Sequence, residues 1–232
     1  MQCNICGGTE FGPMRSRPNV QCLSCNSLER TRLLWLYLDR LQLSPTASIL
    51  HFAPEKSIYN RFRERYPNAN YVTADVDPRP YPFVEKIEHF DLCDLDHHES
   101  DQWDLIVHSH VLEHTPCNIA YTLYHLHRIL KPMGQHICVI PFLPGKFDET
   151  YQDIPLNERL KRFGQRDHVR SFGKEDIGSH VGALLNIPQH YDVTQSFSAD
   201  ELRAANIPET AWQGYTINTV LTLGKYDMKF LT

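Results

Sequence analysis

The chain has 232 residues, of which 41% are hydrophobic and 22% charged; this suits one α/β domain with a small appendage and excludes disordered and collagen-like chains. A formal net charge of −5 provides no basic footprint for sequence-independent nucleic-acid binding. No apolar run approaches the roughly 20 residues of a membrane span and the opening Met1-Gln2-Cys3 is no signal peptide, so no membrane partner and a cytoplasmic location are expected.

The first feature along the chain is a set of four cysteines. Cys3-x2-Cys6 and Cys22-x2-Cys25 are separated by 15 residues, and each pair adjoins turn formers, Gly7-Gly8 and Asn26-Ser27. Two knuckles of this spacing can place four thiolates tetrahedrally around Zn²⁺. Four thiolates leave no open position for water, so the expected metal is structural and supplies the folding energy of a module too small for its own core. Both substrate recognition and stability alone fit such a module. The first 66 residues carry nine Lys/Arg against five Asp/Glu; a local basic patch and ordinary mixed surface charge both fit this. Cys93, Cys117 and Cys138 are scattered, and the odd total of seven argues for reduced thiols.

Asn26 or Ser27 is expected to cap a helix carrying Leu33, Leu34, Tyr37, Leu38 and Leu41 at helical spacing. This helix ends by Ser44-Pro45 and joins residues 1–45, the zinc-ribbon-like module, to a domain over 46–232. From there short apolar strands alternate with helices. Strands are expected at Ser48–Ala53, Tyr71–Ala74, Ile87–Phe90, Asp104–Ser109 and Ile137–Ile140. Helices are expected at Lys56–Tyr66 and Asn118–Leu130. Tyr191–Phe197 and Thr216–Lys225 read as an antiparallel pair at one edge. The pattern predicts a Rossmann-like doubly wound sheet of seven strands, mostly parallel. Polar residues 144–163 are expected to form a substrate lid. In such a sheet, ligands sit beyond the carboxyl ends of the strands at the switch point. That rule selects Ala53-Pro54-Glu55, Asp75, Asp91 and His108-Ser109-His110.

Four segments in order resemble the class I S-adenosylmethionine-dependent methyltransferases of the broad type 11 kind. These are Trp103–His114, with Val111-Leu112-Glu113-His114; Leu126–Gly134; Asp91-Leu92-Cys93-Asp94-Leu95; and Asp167–Phe172, before an expected helix at Lys174. The resemblance runs from about Ser48 to Ile177, and Cys22-x2-Cys25 followed by Ser27-Leu28-Glu29-Arg30 resembles a cysteine-rich subgroup. It implies S-adenosylmethionine as cofactor. Asp75 then binds the ribose diol, with Asp77 as fallback, since a carboxylate can accept from both hydroxyls. Asp91 and the backbone of Leu92 contact the adenine, with Asp94 competing for that alignment. The first loop departs from the glycine-rich pattern. Here His51-Phe52-Ala53-Pro54-Glu55 has no glycine, and Ala53 must allow the close approach. Glu55, with His51, is expected to accept from the cofactor's ammonium group, and His108 is placed with the cofactor residues.

Methyl transfer to oxygen or nitrogen needs a base, and histidine suits this near neutral pH. His110 and His168 are selected over His108 and His114, and Arg170 is expected to bind an anionic substrate group or, equally, to form a structural ion pair. The first reading is an O- or N-methyltransferase for a small-molecule or sugar-containing acceptor. The alternatives are an RNA methyltransferase that grips nucleic acid through the zinc module, and an inactive zinc-binding interaction protein on the same fold.

Overall fold

The computed structural model describes residues 1–231. The N-terminal module is an antiparallel hairpin of β1 (Phe11–Met14) and β2 (Arg17–Cys22), set between the two cysteine knuckles. The helix α1 (Glu29–Asp39) follows. Its N-cap is Leu28 with no side-chain bond, so neither Asn26 nor Ser27 caps it. Asn26 instead takes a φ of 61° in the second knuckle. Ser27 Oγ lies 3.3 Å from Cys3 Sγ and 3.2 Å from Cys25 Sγ.

The α/β domain runs β3 (Ser48–Phe52), α2 (Lys56–Arg65), β4 (Asn70–Asp75), β5 (Ile87–His89), β6 (Trp103–Ser109), α3 (Ile119–Arg128) and β7 (Leu130–Val139). Next come β8 (Phe142–Leu143), β9 (Asp148–Glu149), α4 (Leu156–Phe163) and β10 (Arg170–Gly173). The chain ends with α5 (Val181–Leu184), α6 (Ala199–Ala204) and β11 (Val220–Gly224). The main sheet has the order β11-β7-β6-β3-β4-β5. Only β11 is antiparallel within it.

The sheet therefore has six strands, not seven. Tyr191–Phe197 forms a 3₁₀ turn at Val193–Gln195 instead of an edge strand. The Asp192 side chain accepts from Thr194 N at 2.9 Å, a local bond that starts a turn and competes with strand pairing. Residues 144–163, the expected lid, carry regular structure. They contribute β9 and α4, and β9 joins the small sheet β8-β10-β9. The helix expected at Lys174 is reduced to a 3₁₀ turn at Ile177–Ser179 and the four-residue α5.

Ile49, Leu50, Leu105, Ile106, Val107, Ile137, Cys138 and Val139 are all buried, because the inner strands are covered on both faces. Each large aliphatic side chain among them contributes about 1.5–3 kcal/mol by leaving water. Cys3, Ile5 and Cys22 of the N-terminal module belong to the same core. Arg32 fixes that union. It is fully buried and donates to the carbonyls of Val20, Ser27, Ala205 and Asn206 at 2.8–3.0 Å.

His108 is a core residue, contrary to its expected place at the cofactor. Its Nε2 lies 2.9 Å from His136 Nε2, whose Nδ1 lies 3.2 Å from His127 Nε2. His127 Nδ1 faces the Gly224 carbonyl at 3.0 Å. A carbonyl only accepts, so His127 Nδ1 carries the proton. Each neutral ring then donates to the next: His108 to His136, and His136 to His127. Burial pushes His108 down to about 4 and holds His136 and His127 low as well. A second correction concerns the thiols: Cys93 and Cys117 form a disulfide, while Cys138 is free and buried. The sequence separation of 24 residues hid a contact made by two strand-end loops.

Candidate functional site

The strand β3 lies between β4 and β6, and the chain leaves it first to one side and then to the other. This is the switch point where a parallel sheet opens a crevice. A cavity of about 330 Å³ occupies it. Its walls include Ala53, Asp75, Tyr81, Asp91, Leu92, His110 and Thr115. Ala53, Asp75, Asp91 and Leu92, all expected at the cofactor, are thus brought together.

Ala53 takes a φ of +47°, the left-handed conformation that ordinarily favours glycine. The alanine therefore makes the turn that the absent glycine would make. Asp75 is oriented from two sides: Asp77 N donates to Oδ1 at 2.9 Å, and Tyr81 OH donates to Oδ2 at 2.6 Å. Each carboxylate oxygen has two acceptor sites, so one on each remains for a diol. Asp77, the fallback, is engaged by Arg79 at 2.6 Å. Asp91 Oδ1 accepts from Cys93 N at 2.8 Å, which fixes the loop after β5. The disulfide ties that loop to the one after β6.

Neither His51 nor Glu55 lines this cavity. His51 is buried, with Nδ1 2.9 Å from Tyr71 OH and Nε2 3.3 Å from Glu55 Oε2. Glu55 Oε1 is buried with no partner among the described residues. Burial works to raise the Glu55 carboxyl, but the His51 bond and the charges of His51 and Arg30 outweigh it and the net direction is down. An ionised carboxylate with one free oxygen beside Ala53 is fit to receive a cation such as an ammonium group.

A second cavity, of about 310 Å³, adjoins the first, and His110 lines both. Its other walls include Arg15, Arg17 and Arg30 from the N-terminal module, Glu113, and His168 and Arg170 from beside β10. His110 also has a positive φ, +57°, a strain that the surrounding structure must hold. Its Nε2 lies 3.0 Å from the Ile217 carbonyl and its Nδ1 3.3 Å from Glu113 Oε1. Glu113 is buried. Desolvation opposes its ionisation, yet the His110 bond and the His110 and His114 charges bring it below the usual value.

His168 Nδ1 donates to the Phe163 carbonyl at 3.0 Å, and its Nε2 is buried without a partner among the described residues. Burial presses His168 down, so it presents a neutral lone pair. Glu113, His114 and His168 place their ligand atoms within 4.8 Å of one another, as do the four N-terminal cysteines.

Arg170 corrects its expected role. It is fully buried, and all five donors are spent on the protein. Nε donates to Glu149 at 3.2 Å; Nη1 to Leu112 O and to Thr115 Oγ1; and Nη2 to Cys117 O and to Tyr151 OH. It organises the loop after β6 and has nothing left for a substrate. Glu113, Arg15 and Arg30 are the site residues without an assigned role in the sequence reading. The signals for them were the spacing His110-x2-Glu113 and the arginine excess of the N-terminal third.

In the N-terminal module, Cys3 and Cys25 Sγ are 3.6 Å apart, as are Cys6 and Cys22 Sγ. Sulfurs at the corners of a Zn–S tetrahedron are about 3.8 Å apart, given bonds of about 2.3 Å. Gly7, with φ +77°, and Asn26 form the two knuckle turns, and Gly8 N lies 3.4 Å from Cys6 Sγ. The donor set and spacing fit a structural zinc.

No family model matches the chain, and no curated protein matches it. Solved structures do. An S-adenosylmethionine-dependent methyltransferase from Mesorhizobium loti superposes with a TM-score of 0.53 at 13% identity, over 86% of this chain and 98% of that one. A structure of the Haloferax volcanii Trm112 methyltransferase activator with a methyltransferase gives a TM-score of 0.51 at 14% identity, over 82% and 87%. The fold is that of the class I S-adenosylmethionine-dependent methyltransferases. At this identity the likeness concerns architecture, with a mostly parallel sheet of six strands and a cysteine cluster before it.

Proposed function

We propose that the chain moves a methyl group from S-adenosylmethionine to an oxygen or nitrogen atom of a small-molecule or sugar-containing acceptor. The observation that carries this is His110, which lines both the switch-point cavity and the second cavity. A donor site and an acceptor site must meet at the transferred group.

Asp75 would hold the ribose hydroxyls, Asp91 and the Leu92 backbone the adenine, and Glu55, which must first turn its side chain into the cavity, the ammonium group. Bound there, the cofactor supplies a methyl group already activated by its sulfonium. The protein's work is then positioning and proton removal. His110 stands where the two cavities join, and Glu113 behind it offers a buried carboxylate to receive or balance the proton. His168 supplies a further acceptor on the same wall. A structural Zn²⁺ would sit among Cys3, Cys6, Cys22 and Cys25. The negative net charge and the small volume of the second cavity favour a compact acceptor over RNA.

The test is calorimetric titration of the metal-replete protein with S-adenosylmethionine, with Asp75→Ala as control. Micromolar binding is expected in the wild type, and a loss of about a hundredfold or more is expected when two charge-assisted bonds are removed. No binding by the wild type would sink the enzyme reading.

A further inference from the structure

We propose that the acceptor is anionic, and that Arg15 and Arg30 of the N-terminal module hold its carboxylate or phosphate group in the second cavity. This rests on the methyltransferase reading above and names the class of molecule it acts on.

The arginines of this chain divide sharply. Arg32 and Arg170 are buried and saturated by carbonyls, hydroxyls and a carboxylate. Arg17 is tied to the buried Glu29. Arg30 is different. Its guanidinium makes no hydrogen bond or ion pair among the described residues, although its Nε is shut from solvent. A guanidinium with a buried N–H left unbonded is costly, and a ligand that accepts from it would remove that cost. Arg15 stands at the hairpin turn, exposed, and also has no partner among the described residues. Arg15, Arg17 and Arg30 are close enough for their charges to oppose one another. With Arg17 paired to Glu29, the two unpaired guanidinium groups of Arg15 and Arg30 on one cavity raise the local potential for an anion.

The cavity also dictates orientation. Arg15 and Arg30 line this cavity together with Glu113 and His110, and His110 also lines the switch-point cavity. The Glu113 carboxylate repels an anion, so a bound acceptor turns its charged end to Arg15 and Arg30. Its neutral hydroxyl or amine is thereby presented to His110. The planar fork of arginine suits carboxylate and phosphate alike. A volume of about 310 Å³ accommodates an acidic sugar or a carboxylated ring. The N-terminal module thus acts in recognition as well as in stability.

The experiment is calorimetry on zinc-loaded protein saturated with S-adenosylhomocysteine, titrated in separate arms with inorganic pyrophosphate and with malonate. One-to-one binding of at least one anion is expected, and the stronger arm tells phosphate from carboxylate. Arg15→Gln, on an exposed residue that leaves the fold intact, should weaken that binding about tenfold, as should Arg30→Gln. Affinity of Arg15→Gln for S-adenosylhomocysteine should stay within about twofold, because Arg15 does not line the switch-point cavity. Saturable binding of neither anion, or equal binding by Arg15→Gln, overturns the proposal while leaving the methyltransferase reading intact. If S-adenosylhomocysteine does not bind but Arg15→Gln still abolishes anion binding, the methyltransferase reading falls and the anion site stands.

Discussion

The two cavities that meet at His110 are built on opposite plans. The switch-point cavity is made by strand ends, and its polar groups are already steadied from within: Asp75 by Asp77 N and Tyr81, and Asp91 by Cys93 N. The second cavity is assembled from distant pieces of chain, and it gathers atoms without partners among the described residues: Arg30 Nε, Glu113 Oε2 and His168 Nε2. The first plan suits a cofactor whose shape the fold anticipates. The second suits a ligand that must complete the site itself, so specificity resides where satisfaction is incomplete.

The largest effect is expected at the junction. His110→Asn keeps a residue that tolerates positive φ but removes the imidazole. Turnover should fall about 10²–10⁴-fold, the usual worth of a positioned base, with cofactor affinity nearly unchanged. A similar loss of both turnover and cofactor binding would show that the cavities are not separable. Next comes the wall that they share. Arg170→Met strands two carbonyls and the Glu149 carboxylate, and should cost about 3–5 kcal/mol in urea unfolding. A change below about 1 kcal/mol would show that the loop after β6 holds itself.

The buried histidines give a stability effect that rises with pH. The unfolded chain takes up protons at the ordinary histidine value of 6.5, but folded His108 does so only near 4. Stability is therefore complete above pH 6.5 and lost as pH falls toward 4. His108 alone accounts for about 3 kcal/mol, and His136 and His127 act in the same direction. Urea midpoints measured across that window should fall steadily, and a flat profile would contradict the neutral ladder. The smallest effect belongs to the cofactor side. Ala53→Gly relieves a positive φ and should stabilise the protein by about 0.5–1 kcal/mol, read as a rise in melting temperature.

This contrast also explains what the sequence made legible. Strand ends are announced by apolar runs, so Asp75, Asp91 and Ala53 could be placed from pattern alone. His51, Glu55 and His108 lie on or just after inner strands of the same sheet, but a strand alternates its faces. Pattern could not say that His108 turns into the core toward His136. Arg170 looked like a free cation because nothing local foretold the carbonyls of Leu112 and Cys117. Tyr191–Phe197 has the apolar spacing of a strand, and the Asp192 side-chain bond diverts it. The hairpin of Phe11–Met14 and Arg17–Cys22 is not announced, because FGPM and RPNVQC carry no run of alternating apolar residues. Arg15 went unassigned for the same reason, since its role depends on where that hairpin docks.

Arg32 has a consequence for the order in which the protein can be finished. Its guanidinium joins the carbonyls of Val20 and Ser27 to those of Ala205 and Asn206, and Gln2 N donates to Ala204 O at 2.7 Å. On the ribosome, the first thirty residues emerge long before residue 206 is made. The cysteine knuckles can close early, but the wall of the second cavity that they carry cannot be seated until residues 204–206 have been made. A nascent chain that stops short of them has the module without its anchor.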